Sequence, residues 1–419
     1  MKSNSKPIGP FIQLVDVRNK DLKVEMLLGL TVDKKFIPSV ANTIGSNMTN
    51  YKIIRNGQFA CSLMQVRRDK KIPVALLTDF DEAIISQAYP VFEILDKEKL
   101  FPEYLMMWMS RSEFDREACF YAVGGVRGSL EWDDFCAMEL PIPSIEKQWA
   151  IVKEYQAVVD RINLNEQLNK KLEETAQAIY KQWFVDFEFP ITKEYAQKTG
   201  KSELESNPYK SSGGKMIWND ELEKEIPEGW NVSTVKDFCF DMKSGGTPSR
   251  INTDYWNSND IPWLKTGEIK NNIIIETSEF ISNKGLSGSS AKLLSKNTVL
   301  MSMYGVNAGD IGFLKMESST NQACCGMICN EEVEAAFLYY QLLERQDYHR
   351  KQSIGGAQEN LSKDYIENIL FLVPNSQYIK WSNLNFMLNF KEVITRETRL
   401  LKKTLELLLS KMTQAEIII

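Results

Sequence analysis

The chain has 419 residues, of which 43% are hydrophobic and 25% charged, and it carries a formal net charge of −6. That length suits two or three domains better than a single core, and the composition excludes disordered and collagen-like classes. There is no apolar run of about 18 residues or more and no charged-then-apolar leader, so neither a membrane span nor a signal peptide is expected, and the expected location is the cytoplasm.

Charge is unevenly placed. Residues 1–90 hold nine Lys and four Arg against six Asp and two Glu, a local balance of +5 that is compatible with nucleic acid without demanding it. In the first unit, roughly 1–143, short β-like runs alternate with turns, as in Phe59–Val66 after the turn Arg55-Asn56-Gly57, and in Pro73–Leu77. A helical patch follows at Pro102–Met109, with proline in the first turn, where it is tolerated. Next comes Gly124-Gly125-Val126-Arg127-Gly128-Ser129-Leu130, and then Pro141-Ile142-Pro143.

From Ser144 to about Phe187 there is neither Gly nor Pro. Ile145, Val152 and Val159 recur every seven residues with Tyr155 and Ile162 beside them, and after a phase slip at 163–165 the stripe is expected to resume as Leu168, Leu172, Thr175 and Ile179. Glu188-Phe189-Pro190 opens a polar stretch, ending Ser211-Ser212-Gly213-Gly214, that reads as a linker or surface loop.

The second unit repeats the order of the first. Lys296–Met303 resembles the 59–66 strand and Ala335–Tyr340 the helical patch, preceded by Asn321-Gln322-Ala323 where the first half has Ser86-Gln87-Ala88. Gly355-Gly356-Ala357-Gln358-Glu359-Asn360-Leu361 and Pro374 map onto Gly124, Leu130 and Pro143 at a constant offset of 231 residues. From Asn375 to about Glu416 a second heptad stripe runs through Met387, Ile394, Leu401 and Leu408, with Thr398, Leu405 and Met412 as its companion row. The expected fold is therefore α+β: two globular units of mixed helix and sheet, joined by two long antiparallel helices in a coiled coil, with a pseudo-two-fold internal repeat. Boundaries fall at 1–143, 144–190, 191–374 and 375–419.

Little here suggests catalysis. Asn207-Pro208-Tyr209 lacks the second proline of a base-flipping methyltransferase loop, Gly213-Gly214-Lys215-Met216 lacks phosphate-loop spacing, and Asp260 with Glu268-Ile269-Lys270 is a weak nuclease pattern. The one histidine, His349, leaves little for triad chemistry, and no cofactor is expected. Seven cysteines, without a CxxC pair, read as free thiols; in the cluster Cys324, Cys325 and Cys329 they read as small buried strand residues rather than as a zinc site. Trp256 and Trp263 could stack single-stranded bases but read better as core residues fixing a turn. Ser244–Arg250 is sharper: paired glycines permit close backbone approach, and Thr247, Ser249 and Arg250 are donors for phosphates or base edges. After the duplicated glycines stand Arg127 in one copy and Gln358 and Asn360 in the other, residue types that read guanine and adenine respectively.

Together, Leu140–Gln148, Trp183–Phe187, Gly229-Trp230, the Gly245–Ser249 loop, Tyr255-Trp256, Ile261-Pro262-Trp263 and Gly355–Leu361 make the chain resemble a DNA specificity subunit of a type I restriction-modification system over essentially its whole length. The resemblance implies two target-recognition domains, each reading half of a split double-stranded site, with the helices setting the gap. It also implies two methyltransferase subunits as partners, with AdoMet bound by them, and optional restriction subunits. Candidate DNA contacts are Lys34, Lys35, Arg67, Arg68, Arg127, Thr247, Ser249, Arg250, Gln358 and Asn360. The competing readings are a coiled-coil scaffold whose globular units bind proteins and an enzyme that methylates or cleaves alone.

Overall fold

The structure, a computed structural model, describes residues 5–39, 47–123, 128–352 and 360–414. It divides into two compact units, one formed by 1–163 with 400–419 and the other by 164–399.

The first unit is built on a four-stranded antiparallel sheet in the order Ile12–Val15, Val91–Ile94, Phe59–Cys61, Val74–Leu76. A separate antiparallel pair, Ser5–Pro7 with Glu139–Pro141, closes the two ends of the domain. Phe59, Ala60 and Cys61 are all fully buried, so this central strand has apolar neighbours on both faces. Phe59 stacks on Phe92 at 5.0 Å, and Phe135 meets Phe92 edge-on. The helices Pro102–Met109, Ser112–Tyr121 and Trp132–Ala137 complete the core.

The second unit repeats this plan. Its five-stranded sheet runs Asp241–Ser244, Cys324–Ile328, Val299–Ser302, Ile311–Leu314, and adds Asn272–Ile274 parallel at the edge. The closing pair is Asn231–Thr234 with Leu370–Val373, and the helices Glu332–Glu344, Gln346–Lys351 and Lys363–Glu367 follow in the same order. The internal repeat therefore extends from the quoted loops to strand order and pairing direction.

Each unit is completed by both long helices, Ile145–Tyr180 and Leu384–Gln414. In the first unit Val152 and Tyr155 share a core with Leu409 and Met412. In the second, Asn165 donates to Glu397 at 3.0 Å and Thr398 at 3.2 Å, Asn169 donates to Thr395 at 3.3 Å, and Lys391 pairs with Glu173. Rising numbers on one helix meet falling numbers on the other, so the helices are antiparallel. The first helix starts firmly: buried Gln148 accepts from the Phe101 N–H and donates to the carbonyls of Lys99 and Pro143, each at 2.9 Å.

Three expectations change. The stripe through Leu168 and Thr175 is displaced: both are exposed, and Asn165, Asn169, Glu173, Ala176 and Tyr180 follow one another along the inward side instead. The heptad rule expects apolar residues in a seam, and here three successive positions are polar. The stretch after Glu188 is not a linker: Phe189, Ile191, Ala196 and Tyr209 are buried in the second core, where Phe189 stacks on Tyr209 at 4.5 Å and on Trp230 at 4.9 Å. Finally, the second helix is not continuous from Asn375. Ser376–Trp381 forms a short helix, Asn383 takes a left-handed φ of 55°, and the long helix begins at Leu384.

Candidate nucleic-acid interface

In both units the central strand runs out at the same edge of its sheet into a loop that holds the chain following the glycine pair. The Leu130 N–H donates to the Leu63 carbonyl at 2.9 Å, and the Leu361 N–H to the Met303 carbonyl at 2.7 Å. The repeated loops are thus joined to equivalent strand ends by equivalent bonds.

In the first unit, Gln65 with φ 63° turns the chain into the single helical turn Val66–Asp69, and Lys70 with φ 53° turns it out again. Arg67 and Arg68 are consequently exposed at the edge. The Arg67 N–H reaches the Gly128 carbonyl at 3.4 Å, and a Cβ on Gly128 would sit 2.7 Å from Arg67 Cδ. That glycine makes room for the arginine stem. Arg68 is paired with Asp69 at 2.7 Å. Cys119 Sγ lies 3.5 Å from the Val66 carbonyl, which sets the end of helix Ser112–Tyr121, with exposed Phe120, beside these cations.

In the second unit the edge is continuous. Thr247 Oγ1 donates to Gln322 Oε1 at 2.6 Å, Met303 N–H to the Ala323 carbonyl at 2.7 Å, and Tyr304 bridges Asn360. Gly305 and Gly309, with φ 74° and 82°, bracket the turn that leaves Tyr304 and Val306 exposed. Thr247, Gln322, Tyr304 and Asn360 therefore line one rim, interleaving hydrogen-bonding groups with an aromatic ring. The glycine pair Gly245-Gly246 permits a close approach, but to the chain itself: Cβ atoms there would lie 2.2 Å from the Asn321 carbonyl and 2.4 Å from Ser290 Oγ.

The remaining candidates are placed differently. Arg250 lies 3.5 Å over the Trp256 ring and pairs with Glu279 at 2.6 Å, so much of its guanidinium is engaged within the chain. Burial pushes the Glu279 carboxyl up, and hydrogen bonds from Lys265 and Arg250 outweigh it, leaving the group below its ordinary range. The indole N–H of Trp256 donates to the Ser249 carbonyl, and that of buried Trp263 to the Gly246 carbonyl, which makes both rings fixtures of the loop. Lys34 faces inward, paired with Asp115 at 2.8 Å and donating to the Met109 carbonyl. Burial draws its ammonium below the usual lysine range despite Asp115. Lys35 is exposed beside it, at the mouth of a cavity of about 520 Å³ that also contains Lys71 and Tyr155. Arg127 and Gln358 lie outside the described residues.

The nuclease-like acids are spent on loop geometry. Asp260 accepts from Asn283, and Glu268 accepts from the N–H groups of Lys265 and Ser278. Cys324 and Cys325 are buried strand residues, and Cys329 follows the strand end. Gln322 and Tyr304 join the rim without having been singled out in the sequence. Gln322 was findable, because the Asn321-Gln322-Ala323 repeat had already marked its turn.

The fold is that of a duplicated α+β protein assembled on two long antiparallel helices. Residues 227–406 match the model of the type I restriction modification DNA specificity domain. The specificity subunit of the type I restriction enzyme HindI from Haemophilus influenzae is 25% identical over 381 residues, covering 81% of this chain and 82% of the relative. That of the type I restriction enzyme MjaIX from Methanocaldococcus jannaschii is 26% identical over 212 residues, covering 51% of this chain and 44% of the relative. The S subunit of a type I restriction-modification system from M. genitalium shares the fold, with a TM-score of 0.59 at 14% identity, over 98% of this chain and 99% of that one. The chain is thus similar to type I DNA specificity subunits, and its residues 227–406 match their specificity domain.

Proposed function

We propose that this chain reads a bipartite double-stranded DNA site, one half with each unit, and is the non-catalytic specificity subunit of a complex with two methyltransferase subunits and, optionally, two restriction subunits. The observation that carries this reading is the pair of equivalent sheet edges that present different side chains. Arg67 and Arg68 line one; Thr247, Gln322, Tyr304 and Asn360 line the other. Two readers of unlike half-sites need a common frame and divergent contacts. The readers are taken as 1–143 and 191–374, and the helical stretches 144–190 and 375–419 as the spacer that sets the gap between half-sites. On the outer side of the second helix, Phe386, Val393, Leu400 and Leu407 are exposed at seven-residue intervals, a stripe suited to helices of a methyltransferase partner.

The spacer reading is tested by adding one heptad after Ile162 and one after Leu401. These levels face each other, because Val152 and Tyr155 share a core with Leu409 and Met412, while Asn165 and Asn169 meet Thr398 and Thr395. Each insertion lengthens its helix by about 10 Å. In complex with its methyltransferase partners, the altered chain is expected to methylate the same half-sites across a longer gap. An unchanged gap with wild-type half-sites would place the spacing elsewhere.

A further inference from the structure

We infer that the register of the two long helices is fixed by a ladder of buried and half-buried polar side chains, and that Asn165, Asn169 and Glu173 are thereby the positioning residues that restrict the protein to a single gap length. This rests on the spacer reading above and adds to it what holds the spacer at one length.

A seam of apolar heptads has a built-in ambiguity. Sliding one helix past the other by seven residues, about 10 Å, again sets apolar rows against apolar rows. The outer part of this seam has that character: Val152 and Tyr155 on one helix, Leu409 and Met412 on the other. Within the second unit the character changes. Asn165 is only 1% exposed and satisfies its amide N–H groups on Glu397 and Thr398; Asn169 reaches Thr395; Glu173 holds Lys391, itself 4% exposed. The rungs at 165, 169 and 173 descend through 398, 395 and 391, so all three are made only in one register.

The alternatives are penalised. A slip of one heptad in one direction would set Asn165 against Leu405 and Lys391 against Tyr180. A slip in the other direction would set Asn169 against Leu388 and Glu173 against Leu384. Each leaves buried polar groups without partners, which is far costlier than a shifted apolar contact. Buried polar groups and ion pairs are poor stabilisers beside well-packed hydrophobic residues, so this ladder is better explained by register than by stability. A single buried Asn performs the same task in simple coiled coils. The same turns of the second helix are also tied to their own sheet. Lys315, whose side chain is fully buried, donates to Asn389 at 2.6 Å, and Glu392 pairs with Lys296 at 3.1 Å. The ladder's register is in this way fixed relative to the second reader.

The test uses the complete chain in complex with its methyltransferase partners. Asn165→Leu, Thr398→Leu, Asn169→Leu, Thr395→Leu, Glu173→Leu and Lys391→Leu are combined to remove all three rungs and make the seam apolar. Methylation is then measured on targets with unchanged half-sites and gaps varied one base pair at a time. The expected result is a complex that melts at or above the wild-type temperature while its preference for one gap over others falls by about tenfold or more. An apolar-seam complex that keeps the wild-type gap preference would overturn the inference. Should the sixfold variant fail to assemble, the variants that remove two rungs at a time are read for a smaller fall in gap preference, and no fall in any of them would overturn the inference. The heptad insertion separates the two ideas: if it lengthens the gap while the apolar seam changes nothing, the spacer reading stands and the ladder does not.

Discussion

Arg67 shows how a glycine 61 residues further along the chain can define an arginine. Its stem lies against Gly128 and its head projects at the sheet edge, a posture suited to a phosphate rather than to insertion in a groove. Arg67→Ala is expected to weaken binding evenly across DNA sequences. The slope of log affinity against log salt, measured by fluorescence anisotropy, should fall by about 1. His349 gives a prediction of a different kind. It is buried, its Nδ1 lies 2.8 Å from the Tyr365 hydroxyl, and burial together with the charge of Arg345 lowers its pKa to about 4. The unfolded chain, with an ordinary histidine near 6.5, binds the proton first as pH falls. Stability is therefore full above that value and is lost between about pH 6.5 and 4, by about 3 kcal/mol in total. Denaturant melts of wild type and His349→Asn across that window should differ in slope, the variant being flatter. At this scale the candidate site was half legible. Thr247 and Asn360 stood out because donors follow glycine pairs, and both line the rim. The inward turn of Lys34 was hidden, because its partner Asp115 lies 81 positions along the chain and nothing local announces it.

Elements were legible where their signal is local. The helix from Ser144 follows from an uninterrupted run without Gly or Pro, and its first turn is secured by Gln148. Its inward face beyond Ile162 was not legible: a pattern reader follows apolar residues, and the contacts there belong to Asn165, Asn169 and Glu173. The residues from 188 to 214 look polar on average, yet four well-spaced apolar side chains dock the segment onto the core. Sheet order could not be read, because strand neighbours such as Asp241–Ser244 and Cys324–Ile328 are paired across some 80 residues. Lys315 offers the prediction at this scale. Its ammonium is held by Glu332 at 3.0 Å, Asn297 at 3.1 Å and Asn389, and it lies 4.8 Å from the Phe313 ring. Lys315→Met removes the buried cation that these half-buried groups share. Equilibrium urea unfolding is expected to show a loss of about 3–5 kcal/mol in the second unit, far above that of an exposed ion pair such as Lys23 with Asp21.

For the whole molecule, the repeat at 231 residues was the strongest sequence signal, and the matching strand orders give it a structural form. The division into units is less symmetric than the repeat. The first unit is assembled from the beginning of the chain and from residues 400–419, with Leu409 and Met412 in its core; the second is a single uninterrupted segment, 164–399. That interleaving has a consequence in time. On the ribosome, the first 163 residues emerge without Leu409 and Met412, which share their core and are made roughly 250 residues later. At ~5–20 residues per second the wait is on the order of 10–50 s. The second half, though made later, can close first. The first half must meanwhile keep the apolar face of its helix exposed, available to chaperones or to the helix of another nascent copy, until Leu409 and Met412 arrive to cover it.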